Sequence, residues 1–109
     1  MIMNKYKLDQ FTRGWLVGDF KPSIINTNDF EFMVRFYKKG ETEQKHVHKK
    51  ADEITVIVSG TFLMNNDTFK KGDIIHLLPG DATDFKCLED GATAVVKTPS
   101  IIGDKFIIN

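Results

Sequence analysis

Polar and apolar residues alternate with a period of two in several short runs, and no run holds the 3.6-residue spacing of an amphipathic helix. Phe30 to Tyr37 alternates most cleanly, with Phe30, Phe32, Val34 and Phe36 on one face and Glu31 and Arg35 on the other. That pattern predicts a half-buried strand whose phenylalanine face turns to the core. Ile54–Ser59, dense in β-branched side chains, predicts a second strand that ends at a Gly60 turn, with Thr61–Met64 as the next. Gly14–Gly18 predicts a short strand carrying the only tryptophan, Trp15. Ile74–Leu78, Thr83–Leu88, Ala92–Lys97 and Ile101–Ile108 supply the rest. Turn chemistry separates them at Asp19–Pro22, Asn26–Asp29, Asn65–Asp67, Lys70–Asp73, Pro79–Asp81 and Glu89–Gly91. Many short strands between closely spaced turns predict an all-β, single-domain antiparallel jelly-roll β-barrel over residues 1–109.

Composition changes little in this picture. A chain of 109 residues holds one core with little to spare. Fifteen basic and fifteen acidic residues cancel, which argues against a general nucleic-acid binder and makes self-association easier. The single cysteine, Cys87, forms no internal disulfide and reads as a buried, inert thiol. No apolar run approaches a membrane span and the first residues do not read as a signal peptide, so the expectation is a cytoplasmic protein without a membrane partner. The short apolar segments Gly14–Phe20 and Ile101–Ile108 lie near the chain ends, where they would pair with a second copy, so a homodimer is expected.

Candidate chemistry concentrates between Gly40 and Gly60. His46 and His48 stand two apart, so a strand over 44–48 points both imidazoles to one side, along with Gln44. The loop Lys49–Asp52 is short enough to bring Glu53 back beside them. Two imidazoles and one carboxylate are the donors of a 2-His-1-carboxylate metal site. Charge is uneven nearby: residues 35–50 carry net +4 and residues 81–90 net −3, which read either as solvated loops or as lysines guiding an anionic ligand.

Gly40, His46, His48, Glu53 and Gly60 together resemble the first motif of the cupin superfamily with every fixed position filled. Gly72, Asp73, the apolar run after them and Pro79-Gly80 resemble the second motif, over residues 72–85, in degraded form. Where that motif carries a third metal-binding histidine, this chain has Thr83, followed by Asp84. Asp84 and His76 are the two candidates to take the missing place. A four-residue loop Pro79–Ala82 in a hairpin puts His76 and Thr83 on one face; a three-residue loop puts His76 with Asp84. The resemblance implies a small jelly-roll barrel that binds a small molecule at a divalent metal ion, Fe, Zn, Ni or Mn, held by His46, His48 and Glu53, with oxygenase-type or Lewis-acid catalysis an open question. Two other readings stand beside it: a non-catalytic binding or sensing module, and a metal-free sugar or nucleotide-sugar isomerase or epimerase with a His–carboxylate acid–base pair.

Overall fold

The computed structural model describes residues 3–109. Two short 3-10 turns, Leu8–Gln10 and Thr12–Gly14, lead into nine strands: β1 Trp15–Gly18, β2 Ile25–Asn26, β3 Glu31–Tyr37, β4 Thr42–His48, β5 Asp52–Met64, β6 Asp67–Lys70, β7 Ile74–Leu77, β8 Ala82–Thr98 and β9 Lys105–Ile107. The all-β jelly roll that the turn rhythm predicts is the architecture found.

Two expected turns are absent. Gly60 and Gly91 lie inside β5 and β8, the two longest strands, which pair with each other along most of their length. Register slips between Ile57 and Phe62 mark where the pair bends. The two glycines meet there. A Cβ on Gly91 would lie 2.1 Å from the Ser59 carbonyl oxygen, and one on Gly60 would lie 2.6 Å from Gly91 Cα. Bulges and glycines are the usual means of turning a strand from one sheet into another. Each long strand thus serves both layers. On one side of the bend β5 and β8 lie with β7, β3, β1 and β2; on the other they lie with β6, β4 and β9.

This arrangement also settles the segment after β7. Pro79–Ala82 closes no hairpin. β7 pairs with β5, through Ile54 opposite His76, whereas the start of β8 pairs with β4, through His46 opposite Thr83. The segment crosses from one layer to the other. The Asn65–Asn66 turn between β5 and β6 is as expected, with both asparagines at positive φ (49° and 64°) as a tight hairpin needs.

The faces of β3 are the reverse of the prediction. Glu31, Met33 and Tyr37 are buried and Arg35 lines the interior, while Phe36 is 71% exposed and Phe30 also faces solvent. The period was right and the side was wrong. The interior between the layers is not uniformly apolar: it holds a dense floor and a polar cavity. The floor is Tyr37, Ile57, Phe62, Met64, Phe85 and Cys87, in which the rings of Tyr37, Phe62 and Phe85 stack within 4.8–5.7 Å of one another. Cys87 is buried within it, its thiol donates to the Glu89 carbonyl at 3.0 Å, and burial pushes its pKa up, so the thiol is inert as expected.

The bend yields the first test. Gly91→Ala must move backbone on both strands, and overpacking of this kind costs about 1–3 kcal/mol. Gly91→Ala is expected to lower the urea midpoint accordingly. Gly72→Ala, at a turn where an added Cβ meets nothing within 4 Å, is the control that separates close approach from positive φ, since Gly72 has φ +91° and Gly91 does not need it. An unchanged midpoint for Gly91→Ala would mean the two strands have room to spare.

Candidate metal centre

His46, His48 and Glu53 do converge. One donor atom from each lies within 4.8 Å of the others. β4 supplies both histidines, two residues apart and both buried, with ring centroids 5.2 Å apart. β5 supplies Glu53 from its first turn of pairing. His48 Nε2 stands 3.7 Å from Glu53 Oε2, too far for a hydrogen bond and near enough for two donors to share one ion.

Gln44 is not on their face. β4 carries a bulge: Glu43 faces Phe85 and His46 faces Thr83, so three steps on β4 match two on β8. The extra residue puts Glu43 and His46 on the inner side and leaves Gln44 exposed. It also turns the Gln44 carbonyl to within 2.9 Å of His46 Nδ1. A carbonyl only accepts, so Nδ1 carries the proton and Nε2 keeps its lone pair free for a ligand.

Of Thr83 and the two candidates to replace the missing histidine, Asp84 and His76, only Thr83 is at the site. Thr83 is buried, opposite His46, and lines the same cavity, but its hydroxyl donates to the Asp84 carbonyl at 2.7 Å. Asp84 is one residue on and therefore on the other face, exposed, where its carboxylate accepts from the Asn65 N–H at 2.7 Å. His76 is exposed on the outer side of β7, with Nε2 2.9 Å from Asp52. Strand alternation in the observed registers keeps both Asp84 and His76 away from the His46–His48–Glu53 group.

One residue with a structural part in this group, Asp104, has no role in the sequence reading beyond lying within the predicted strand Ile101–Ile108. The buried Asp104 carboxylate accepts from the main-chain N–H groups of Lys49, Lys50 and Ala51 at 3.0–3.2 Å. It holds the loop between β4 and β5, and so the spacing of His48 from Glu53. Burial alone would raise its pKa, but the three N–H groups pull it below the ordinary carboxylate value. A carboxylate 53 to 55 residues from the N–H groups it accepts from has no local signal beyond its place after a glycine.

Around the group the cavity has a volume of about 300 Å³. Registers set its charged wall as a row: Glu31 faces Lys97 across β3 and β8, and Lys97 faces Glu53 across β8 and β5. Lys97 Nζ is 2.8 Å from Glu31, lies 4.8 Å from the centre of the Trp15 ring, and Glu31 accepts from the Ser100 hydroxyl at 2.7 Å. Arg35 and Arg13 both lean on Glu43, at 3.4 and 3.5 Å. Lys105, opposite His48 on β9, also lines the cavity.

Burial works against every charge in the group. It lowers the pKa of His46, partly offset by the Gln44 carbonyl, and with the nearby Lys97 and His46 it lowers that of His48 to about 4. It raises that of Glu53, against the pull of Lys97. Burial likewise lowers Lys105, with Arg13 beside it. His48 Nδ1 is buried without a hydrogen-bond partner; the Asp104 main-chain carbonyl lies near it but outside good geometry. Two imidazoles held toward their neutral form and a carboxylate beside them are the donor chemistry a divalent ion requires.

No protein-family model matches the sequence, and no curated protein matches it. Solved structures match its shape. A conserved protein with a double-stranded β-helix domain from Klebsiella pneumoniae is similar at TM-score 0.71 and 20% identity, over 95% of this chain and 90% of that one. An RmlC-like cupin from Shewanella frigidimarina is similar at TM-score 0.64 and 18% identity, over 69% and 70%. The oxalate decarboxylase of Bacillus subtilis, a protein with Mn(II) centres, is similar at TM-score 0.64 and 16% identity, over 74% of this chain and 24% of that one. The fold is the double-stranded β-helix. The chain is a small cupin in fold, as its Gly40–Gly60 motif implies.

The electrostatics predict an acid limit to stability. His48 binds its proton near pH 4 when folded and near its ordinary 6.5 when unfolded, so between those values the unfolded chain holds more protons and stability falls as pH falls. In chelator, going from pH 7 to pH 5 is expected to remove on the order of 2 kcal/mol through this group. Urea midpoints of wild type and His48→Gln at the two pH values check it: the variant's fall should be shallower, and an equal fall would assign the effect elsewhere.

Proposed function

We propose that this chain is a single cupin domain that binds one divalent metal ion through His46, His48 and Glu53 and takes a small, anionic ligand in the cavity beside it. The observation that carries the reading is the convergence of these three donors, with the Gln44 carbonyl fixing the His46 tautomer. When bound, the ion supplies Lewis acidity toward an oxygen-donor ligand. Three protein donors leave coordination positions for that ligand. Thr83 borders those positions without adding a donor, which favours an open site. The Mn(II) centres of the similarly folded oxalate decarboxylase make manganese the first ion to try, with Fe, Zn and Ni beside it. The metal-free acid–base alternative is less well supported: His48 and Glu53 make no hydrogen bond, and the one close His–carboxylate pair among the described residues, His76–Asp52, lies on the outer surface.

Metal analysis of protein purified without chelator or a nickel column tests this. One divalent ion per chain, or a fraction of one, is expected. His46→Ala and His48→Ala should each lower the affinity by about two orders of magnitude or more, since a ligand is lost outright, while Thr83→Ala should leave it within a few-fold. Metal retained at wild-type level by both histidine variants would exclude this site. Thr83→His, aimed at the cavity from beside His46, is expected to tighten binding.

We also propose a homodimer. Of the two segments expected to make it, Gly14–Phe20 has both edges of its strand Trp15–Gly18 taken, by β2 and β3, while Ile101–Ile108 contains β9, an edge strand paired only with β4. What supports the pairing is the reversed face of β3. Phe36, Ile54, Val58, Ile74 and Leu78 are exposed, and the registers Ile74–Val56–Ala94–Val34 and Ile54–Val96–Phe32 join them in one apolar outer surface across β7, β5, β8 and β3. A contiguous apolar surface spread over four strands is the kind of feature that marks a protein–protein contact. Zero net charge offers no repulsion to a second copy. Light scattering should give twice the 12.4 kDa chain mass, and Ile74→Asp with Phe36→Asp should give one chain mass with unchanged circular dichroism. A monomeric wild type at micromolar concentration would remove the proposal. A single buried thiol suits a reducing, cytoplasmic location.

A further inference from the structure

Five cationic side chains line the cavity, Arg13, Lys21, Arg35, Lys97 and Lys105, against three carboxylates, Glu31, Glu43 and Glu53. The excess is two positive charges, and a divalent ion in the His46–His48–Glu53 group would raise it to four. A partly desolvated pocket does not hold such an excess without a counter-charge. Most of the cations already have partners. Lys97 is 2.8 Å from Glu31, and Arg13 and Arg35 share Glu43. Among the described residues Lys21 and Lys105 pair with no carboxylate within 4.0 Å, and of these two Lys105 stands next to the donor group.

The place of Lys105 matters as much as its charge. It stands directly opposite His48 in the β4–β9 pair. Side chains directly opposite in an antiparallel pair leave the sheet on the same face, with Cβ atoms about 5 Å apart. The ammonium group is therefore beside the metal-ligand group and not across the barrel from it. Lys105 is also exposed at the cavity mouth, so an incoming anion meets it before the buried histidines.

We infer that the ligand is a small acid with two anionic ends, one at the His46–His48–Glu53 group and the other held by Lys105; the inference rests on the metal-centre reading for the first end only. The cavity volume of about 300 Å³ is at the lower limit for small-molecule sites, so the acid is a small one. Met33, Val95 and Leu77, which also line the cavity, suit the methylene spacer between the two ends. Lys105 is then the residue that selects a diacid over a neutral isostere, because the amide would leave the ammonium without its counter-charge.

Calorimetric titration of malonate and succinate, against malonamide and succinamide, tests this on the protein with and without one equivalent of Mn(II). At least one diacid should bind more than about tenfold tighter than its diamide, as charge-assisted hydrogen bonds require. Lys105→Met should weaken the diacid by about tenfold or more and Lys105→Arg by only a few-fold, with Mn(II) uptake equal in all three proteins. Three results would overturn the inference: neither diacid binds, the diamides bind as well, or Lys105→Met binds like wild type. A wild type that takes up no divalent ion would instead overturn the metal reading. The Lys105 dependence measured on the metal-free protein then decides the anion site on its own.

Discussion

The close contact of Gly60 with Gly91 is the constraint on which the other placements rest. β5 and β8 belong to both layers only because they bend together, and they bend together only where neither carries a Cβ. From that bend follow the neighbours of every site residue. One half of β8 puts Lys97 between Glu31 and Glu53; the other half puts Thr83 against His46. If the two strands ended at these glycines, nothing would tie the carboxylate wall to the histidine wall. The cavity exists at the place where the two layers share strands.

The site is an unfavourable arrangement for a chain on its own. Both imidazoles resist protonation, Glu53 resists ionisation, and His48 Nδ1 has no partner. Each of these is a free-energy penalty that a surface position would avoid. What keeps the arrangement in place is local and specific: the β4 bulge that brings the Gln44 carbonyl to His46, and the Asp104 carboxylate that holds the loop between His48 and Glu53. Side chains are held in position against their own solvation preference, and that is how a fold prepares donors for a ligand that is to satisfy them.

Much of this was legible in the sequence, and the parts that were not have physical reasons. The strand rhythm gave the class of fold, and the spacing of His46, His48 and Glu53 gave the convergence, because both depend on local periodicity. The Gly60 and Gly91 turns were misread because a glycine that permits a turn and a glycine that permits two strands to touch look alike in one chain. Gln44 was put on the wrong face because a bulge breaks the period of two without any mark in composition. Asp84 and His76 could not be placed relative to the donor group because their faces depend on register, and the chain crosses between layers where a hairpin is the simpler expectation. Asp104 was not weighed at all, since its partners are brought to it by tertiary structure.

The error on β3 is the most instructive, because it follows from a rule that usually holds. Apolar alternation normally identifies the inward face. Here the inward positions Glu31 and Arg35 line the cavity, while Phe36 on the other face meets solvent. Alternation reports which face is drier in the working protein, not which face points to the middle of one chain. A strand whose interior side is polar and whose exterior side is aromatic therefore reports two things at once: a hollow on one side and an uncovered apolar face on the other. Both features are visible in the same seven residues, and each makes sense of the other. A barrel that gives up part of its apolar interior to a charged pocket has less core to hold it together, and covering its apolar outer surface with a second copy is the direct way to restore that lost burial.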